Sequence, residues 1–325
     1  MPAARSIGLL AAGGTISVVP STSGAREHSG ADALAPTASA LPDGIDVHPR
    51  DVLRRSSRAM GLDDLWTLAE AVRAEIAAGR DGVVVTHGTD TLEETAYALA
   101  LLVETTAPVV VTGAMRAPHL AGPDGPANVR AALVAAAQPA LAAYGPVVVF
   151  ADEVHVARLV TKAHSTRVAA FASPAAGPVG SVVEDRLELL LGPPPVPDRL
   201  PRTAAPARRV TIVPAATGVD GALVDAVAAE LDGVVVAALG GGHVSPALGE
   251  SLVRIAGSGR PVVVTSRCPD GALLSRTYGG AGSEIELREA GLHFAPYLTP
   301  PKARLRLAFG LSAAIPADEL FPAGP

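Results

Sequence analysis

The sequence repeatedly sets a short β-branched run directly before a segment of helical period. GVVVT precedes TLEETAYALALLVE, PVVVTGA precedes DGPANVRAALVAAAQPALA, and GVVVAAL precedes PALGESLVRIAG. Such alternation restricts the chain to a parallel sheet with right-handed crossovers, because continuous valine runs need helices covering both faces. The expected fold class is α/β, with a larger N-terminal parallel-sheet domain and a smaller C-terminal α/β domain. Aromatic residues make up 3% of the chain and hydrophobic residues 49%, so small aliphatic side chains must fill the core in close contact. One helix is legible in detail. Over residues 63–78, Leu65, Leu68, Ala69, Val72 and Ile76 recur at helical spacing, and Asp63 and Asp64 lie at the end where negative charge is favoured.

The alternation stops at residues 192–209, GPPPVPDRLPRTAAPARR, whose prolines neither a helix nor a central strand can hold. The segment reads as an extended linker: an N-terminal domain at 1–192, the linker at 193–209 and a C-terminal domain at 210–325. Beyond it VTIVPAA, GVVVAAL and PVVVTSR restart the pattern. A net charge of −6 and the lack of a long Lys/Arg block point away from nucleic acid and anionic membranes, and toward a small soluble ligand. The single cysteine, Cys268, can form no intramolecular disulfide, and with no histidine near it in sequence it is expected to be buried filler rather than a nucleophile. The apolar run at 7–12 is shorter than the roughly 7–15 residues of a signal-peptide core, and no run approaches the roughly 18 needed to cross a bilayer. A first strand at the N-terminus and a cytoplasmic location are the expectation.

In open parallel sheets ligands bind beyond the carboxyl ends of the strands. Three polar loops are placed to do so: AAGGTIS after the first strand, THGTDT after GVVV, and TGAMRAP after PVVV. Thr91-x-x-Glu94 fits a capping box, and Asp90 suits the positive end of a helix dipole. Capping leaves Thr89 and the preceding His87-Gly88 pair without explanation, so a binding role for the loop stands beside it. The double glycine before Thr15 suits a tight turn or a phosphate cradle, but GGT lacks both the dinucleotide spacing and the Walker lysine. No cofactor and no metal are expected.

Taken in order, AAGGTI, Ser57 with Met60, THGTDTLEETAY, VVVTGAMRAP, DGPANV, VTKAHSTRVAAF and PPKARLRLAFGL resemble the bacterial type I/II asparaginase/glutaminase family over nearly the whole chain. The HGTDT block is the most specific of them. The resemblance implies an amidohydrolase that converts L-asparagine to L-aspartate and ammonia. It implies Thr15 as the nucleophile that forms a covalent acyl-enzyme, and Thr89, Asp90 and Lys162 as a second catalytic constellation in which Asp90 also grips the substrate α-ammonium. Ser57 would bind the α-carboxylate, with Arg58 and Gly88 beside it, and the backbone N–H groups of Thr89 and Ala114 would form the oxyanion hole. A homodimer or homotetramer is implied as well, one subunit's C-terminal domain closing its neighbour's site. A threonine hydroxyl is a poor nucleophile until a neighbouring group takes its proton. Lys162 can serve Thr89 in this way only as a neutral amine, a form that burial favours and an adjacent Asp90 carboxylate opposes.

The chain also departs from the family pattern. Ala12 replaces the first threonine of TGGTI. His28 falls where relatives carry a mobile-loop tyrosine, within STSGAREHSGADALAP, which is polar and glycine-containing as a lid would be. Arg58 follows Ser57 where a neutral polar residue is usual; its guanidinium turns to solvent, pairs with another carboxylate, or reaches the substrate carboxylate bidentately. Tyr278 falls near the position from which the periplasmic enzymes send a glutamate into the neighbouring site, and His243 where they present an asparagine. These changes bear on substrate and rate. Glutamine or another small ω-amide is the alternative substrate, and a catalytically weak amino-acid-binding protein is the alternative class.

Overall fold

The computed structural model describes residues 4–21, 24–27, 44–194, 199–200 and 208–322. The chain divides into two compact units, Met1–Arg199 and Leu200–Pro325. The first begins with β1 (Arg5–Ala11), a 3-10 turn (Thr15–Ser17), a hairpin of β2 (Val18–Ser21) and β3 (Gly24–Glu27), and β4 (Ile45–Asp51). A second 3-10 turn (Ser57–Ala59), α1 (Leu62–Ala77), β5 (Gly82–Thr86), α2 (Leu92–Leu102), β6 (Val109–Thr112) and α3 (Gly125–Ala136) follow. The unit ends with β7 (Val147–Phe150), β8 (Glu153–Val156), β9 (Thr161–Lys162), β10 (Phe171–Ala172), β11 (Gly180–Val183) and β12 (Arg186–Leu189).

Eight of these strands form one sheet in the order β12-β11-β8-β7-β6-β5-β1-β4. From β4 to β7 every pairing is parallel, as the valine runs predict. Beyond β7 the pairings are antiparallel, so the sheet is mixed. The cause is local: only Ala151 and Asp152, at φ 49° and 65°, join β7 to β8, and a two-residue link can make a hairpin but not a crossover. Val83, Val84, Val85, Val109, Val110, Val111, Val147, Val148 and Val149 are wholly buried, each worth about 1.5–3 kcal/mol over an exposed side chain. In α1 Leu65, Leu68, Ala69 and Val72 of the predicted stripe are buried, and Ile76, in the last turn, is only partly buried. The Asp64 carboxylate accepts the Gly61 N–H at 2.9 Å, closing the start of that helix.

Sheet register positions the polar loops. Ala11 pairs with Thr86, and Thr86 with Thr112. The strands β1, β5 and β6 therefore stop level with one another, and their following loops emerge side by side.

The second unit holds β13 (Val210–Pro214), α4 (Ala222–Val227), β14 (Gly233–Ala238), α5 (Pro246–Gly257), β15 (Val262–Ser266), α6 (Glu284–Glu289), β16 (His293–Phe294), α7 (Pro300–Ser312) and α8 (Ala317–Leu320). Its strands are parallel in the order β13-β14-β15-β16. The PPKARLRLAFGL motif becomes α7, whose Ala303, Leu305, Leu307, Ala308 and Phe309 are buried in this unit's core. Cys268 is exposed, contrary to the expectation of buried filler. It lies past the end of β15, where its backbone N–H donates to Ser266 Oγ at 3.0 Å and the chain has left the sheet's cover. Among the described residues no helix is long and apolar enough to cross a membrane.

Candidate active site

Loop contact at the ends of β1 and β5 depends on glycine. Gly14, at φ 93°, lies so close to the next loop that a Cβ on it would sit 2.4 Å from both the nitrogen and Cα of Gly88. A Cβ on Gly88 would in turn lie 2.6 Å from Ser57 Oγ. A side chain at either position would wedge the loops apart. Thr15, half-buried, opens the 3-10 turn directly after Gly14. From the other side a Cβ on Gly125 would meet Ile16 Cγ1 at 3.0 Å and Ala114 Cβ at 3.5 Å. Thr15, Ser57, Gly88 and Ala114, distant in sequence, are thus gathered at one edge of the sheet.

Lys162 comes to the same loop from the β9–β10 hairpin, built by the VTKAHSTRVAAF motif with Phe171 opposite Lys162. Its Nζ donates to Thr89 Oγ1 at 2.9 Å and to Asp90 Oδ1 at 2.8 Å. Thr89 is buried, whereas the Asp90 side chain is 63% exposed and so presents its carboxylate to solvent. The backbone N–H of Lys162 donates to Glu93 Oε2, a buried carboxylate in the first turn of α2. Glu93 thereby fixes the strand that carries the lysine. Local spacing gives Glu93 no role beyond that of a first-turn acid.

Thr91 does not act as a capping side chain. It occupies the N-cap position of α2 without a capping bond, and its hydroxyl donates instead to the Ser57 carbonyl at 3.0 Å. That bond ties the Ser57 turn to the Thr89–Asp90 loop, a use of threonine that local spacing cannot reveal. His87, wholly buried, braces the same loop. Burial pushes its imidazole down to about 4, against the opposing effect of the hydrogen bond to Gly88, since charge is costly in the interior. The neutral ring donates from Nδ1 to Gly88 O at 2.8 Å and accepts the Thr95 hydroxyl at Nε2, at 2.9 Å. The signal for His87 was its place before Gly88, which by itself did not show what the ring would touch.

Arg58 is exposed and forms no ion pair among the described residues. His28 lies outside the described residues. In the second unit Tyr278 is exposed and stands edge-on to His243 at 5.0 Å between ring centroids. The buried Glu284 accepts the N–H groups of Thr277 and Tyr278, each at 2.8 Å, and lies 3.2 Å from His243 Nδ1. Burial works to raise the Glu284 carboxyl, but those N–H donors and His243 outweigh it and hold the group below its ordinary value. A separate cavity of about 320 Å³ in the first unit, beside the end of α2 and the start of β7, is lined by none of the predicted site residues. Among the described residues no group of three or more His, Cys, Asp or Glu side chains is arranged to hold a metal ion.

Comparison with known proteins bears on this arrangement. Residues 6–194 match the family described as Asparaginase, N-terminal, and residues 209–320 match the Glutaminase/Asparaginase C-terminal domain. The chain is 37% identical to a probable L-asparaginase of Deinococcus radiodurans, covering 97% of this chain and 95% of that protein. It is 32% identical to an L-asparaginase of Bacillus licheniformis over 95% and 96% of the two chains. With L-asparaginase 2 of Escherichia coli it shares 33% identity over 94% of this chain and 88% of the other.

Proposed function

The chain belongs to the asparaginase family, and on that premise we propose that it hydrolyses L-asparagine to L-aspartate and ammonia through a threonine nucleophile. The observation that carries the reading is the pair of bonds from Lys162 Nζ to Thr89 Oγ1, 2.9 Å, and Asp90 Oδ1, 2.8 Å, at the loop against which Gly14 packs. A buried hydroxyl and an exposed carboxylate on one loop, with a lysine reaching them from the β9–β10 hairpin, supply what a small zwitterionic amide requires. The Thr15 hydroxyl attacks the side-chain amide carbon, the carbonyl electrons move onto oxygen, and the N–H groups of Thr89 and Ala114 stabilise that charge. Collapse of the tetrahedral species expels ammonia and leaves an ester on Thr15. Water then attacks the ester carbon, releases aspartate and returns the proton to the threonine oxygen. Asp90 pairs with the substrate α-ammonium, Ser57 holds the α-carboxylate, and Arg58, turned to solvent, is available to the same carboxylate.

The pattern-matched lid tyrosine is absent, so the proton acceptor for Thr15 must come from elsewhere. We assign this role to the exposed phenol of Tyr278, supplied by a second copy of the chain in a homodimer or larger oligomer. His28→Ala and Tyr278→Phe separate the candidates. An unchanged pH profile in Tyr278→Phe removes the phenol, and loss of an acid limb near neutrality in His28→Ala moves the role to histidine. Sedimentation that finds a fully active monomer at nanomolar concentration excludes a shared site.

The description of the matched C-terminal domain as Glutaminase/Asparaginase favours glutamine as the second substrate reading. Ammonia release from a panel of ω-amides, with Thr15→Ala as the control, decides both. Turnover highest on asparagine and lost in Thr15→Ala is the expected result. Binding of amino acids without turnover would overturn the enzymatic reading in favour of an amino-acid-binding protein.

A further inference from the structure

The DGPANV segment places two buried polar side chains against the loop that follows β6. Asp124 Oδ2 accepts the Met115 N–H at 2.9 Å, and Oδ1 accepts the Arg116 N–H at 2.8 Å. One helical turn later, Asn128 Nδ2 donates to Gly113 O at 3.0 Å and to Asp124 Oδ2 at 3.1 Å. Asn128 Oδ1 accepts the Ala151 N–H at 3.0 Å, which anchors the network to the turn between β7 and β8. Asn128 is 2% exposed and Asp124 7%. These bonds surround Ala114 without touching its own N–H. The geometry of the peptide unit makes that significant: the Gly113 carbonyl and the Ala114 N–H belong to one planar trans group and point in opposite directions. Holding the carbonyl toward Asn128 therefore aims the N–H the other way, and donation into that carbonyl also polarises the N–H.

We infer that Asn128 and Asp124 are positioning residues for the reaction, Asn128 orienting the Gly113–Ala114 peptide plane and Asp124 clamping the next two N–H groups so that the plane cannot rotate. The inference rests on the proposed oxyanion role of the Ala114 N–H. An oxyanion donor acts on charge that develops in the transition state, so misaiming it lowers kcat while leaving KM largely intact. Full loss of one donor typically costs about 10²–10³ in rate, and a misdirected donor should cost about 10–100-fold.

The test measures kcat, KM and calorimetric binding of L-aspartate for Asn128→Asp, Asn128→Ala and the exchange Asp124→Asn with Asn128→Asp. An aspartate at 128 cannot donate to the Gly113 carbonyl and stands against Asp124. The single variants should lose about 10–100-fold in kcat, with KM and aspartate affinity within about threefold of the parent protein. The exchange restores a hydrogen-bonded side-chain pair and part of the melting temperature, although an asparagine at 124 offers one acceptor oxygen to the Met115 and Arg116 N–H groups where the aspartate offers two; it provides no donor for Gly113 O, so kcat should stay low. Should a single variant fail to fold, the exchange carries the test alone. Recovery of kcat in the exchange, or a kcat within about threefold of the parent in Asn128→Asp, overturns the inference. Thr15→Ala separates the two levels: if it abolishes turnover, the proposed reaction stands whatever Asn128 does. If it stays active, that reading falls and the inference with it.

Discussion

Lys162→Met probes the candidate site where its geometry is tightest. The substitution keeps an unbranched side chain but removes the donor that now reaches Thr89 Oγ1 at 2.9 Å and Asp90 Oδ1 at 2.8 Å. The cost to folding should be small. With Asp90 63% exposed, water screens the ion pair, which contributes about 0–1 kcal/mol. The bond to Thr89 is donated by a charged group and partly buried, and contributes about 1–2 kcal/mol. A combined loss of about 1–3 kcal/mol lowers the melting temperature by about 2–4 °C for each kcal/mol in a domain of this size. Catalysis should suffer far more, because a positioned proton-transfer group typically contributes about 10²–10⁴ in rate. Ammonia release at saturating L-asparagine and thermal melting on the same preparation test both halves. A variant that keeps more than about a tenth of parental turnover refutes a catalytic role for Lys162. One that loses turnover together with its cooperative melt shows instead that the lysine is structural.

Thr15→Ala and Thr89→Val should each lower turnover by about three orders of magnitude or more; Thr15→Ala should melt close to the parent protein, and Thr89→Val, which gives up the bond from Lys162 Nζ, should lose about 1–2 kcal/mol while keeping a cooperative melt. Gly88→Ala places a methyl group 2.6 Å from Ser57 Oγ, so the Ser57 turn must shift; KM for asparagine should rise about tenfold or more, and an unchanged KM would remove Ser57 from the carboxylate site. Stability should depend on pH through His87, which is held at about 4 in the folded chain against 6.5 otherwise. Between those values the unfolded chain takes up a proton that the folded chain refuses. Stability is therefore full above pH 6.5 and declines on acidification toward pH 4, by about 3 kcal/mol in all. Urea denaturation at pH 7 and pH 4.5 should give a smaller difference for His87→Gln than for the parent, and identical differences would contradict the burial argument.

Local patterns carried the parts of this protein that depend on neighbours in the chain. Unbroken valine runs followed by helical periodicity require a covered parallel sheet, and they yielded the α/β class, a helix over residues 63–78 that the fold places at Leu62–Ala77, and the placing of three polar loops at strand ends. Thr15, Thr89 and Lys162 were marked by the resemblance of their motifs to those of the asparaginase family, since spacing alone left Thr15 in a tight turn or cradle and gave Lys162 no role. Which groups those residues would meet was decided elsewhere. Thr91 has the spacing of a cap, yet its hydroxyl found the carbonyl of Ser57, 34 residues away. Glu93 looks like an ordinary first-turn acid, and its carboxylate holds the backbone of Lys162, 69 residues on. The antiparallel strands beyond β7 hang on two residues in a left-handed conformation that Ala151-Asp152 does not advertise. Cys268 reads as filler and is exposed. Periodicity records which face of an element turns inward, because burial acts on every turn or alternate residue alike. A hydrogen bond between distant segments depends on sheet register and on loops packed through glycine contacts, and those exist only once the chain has folded.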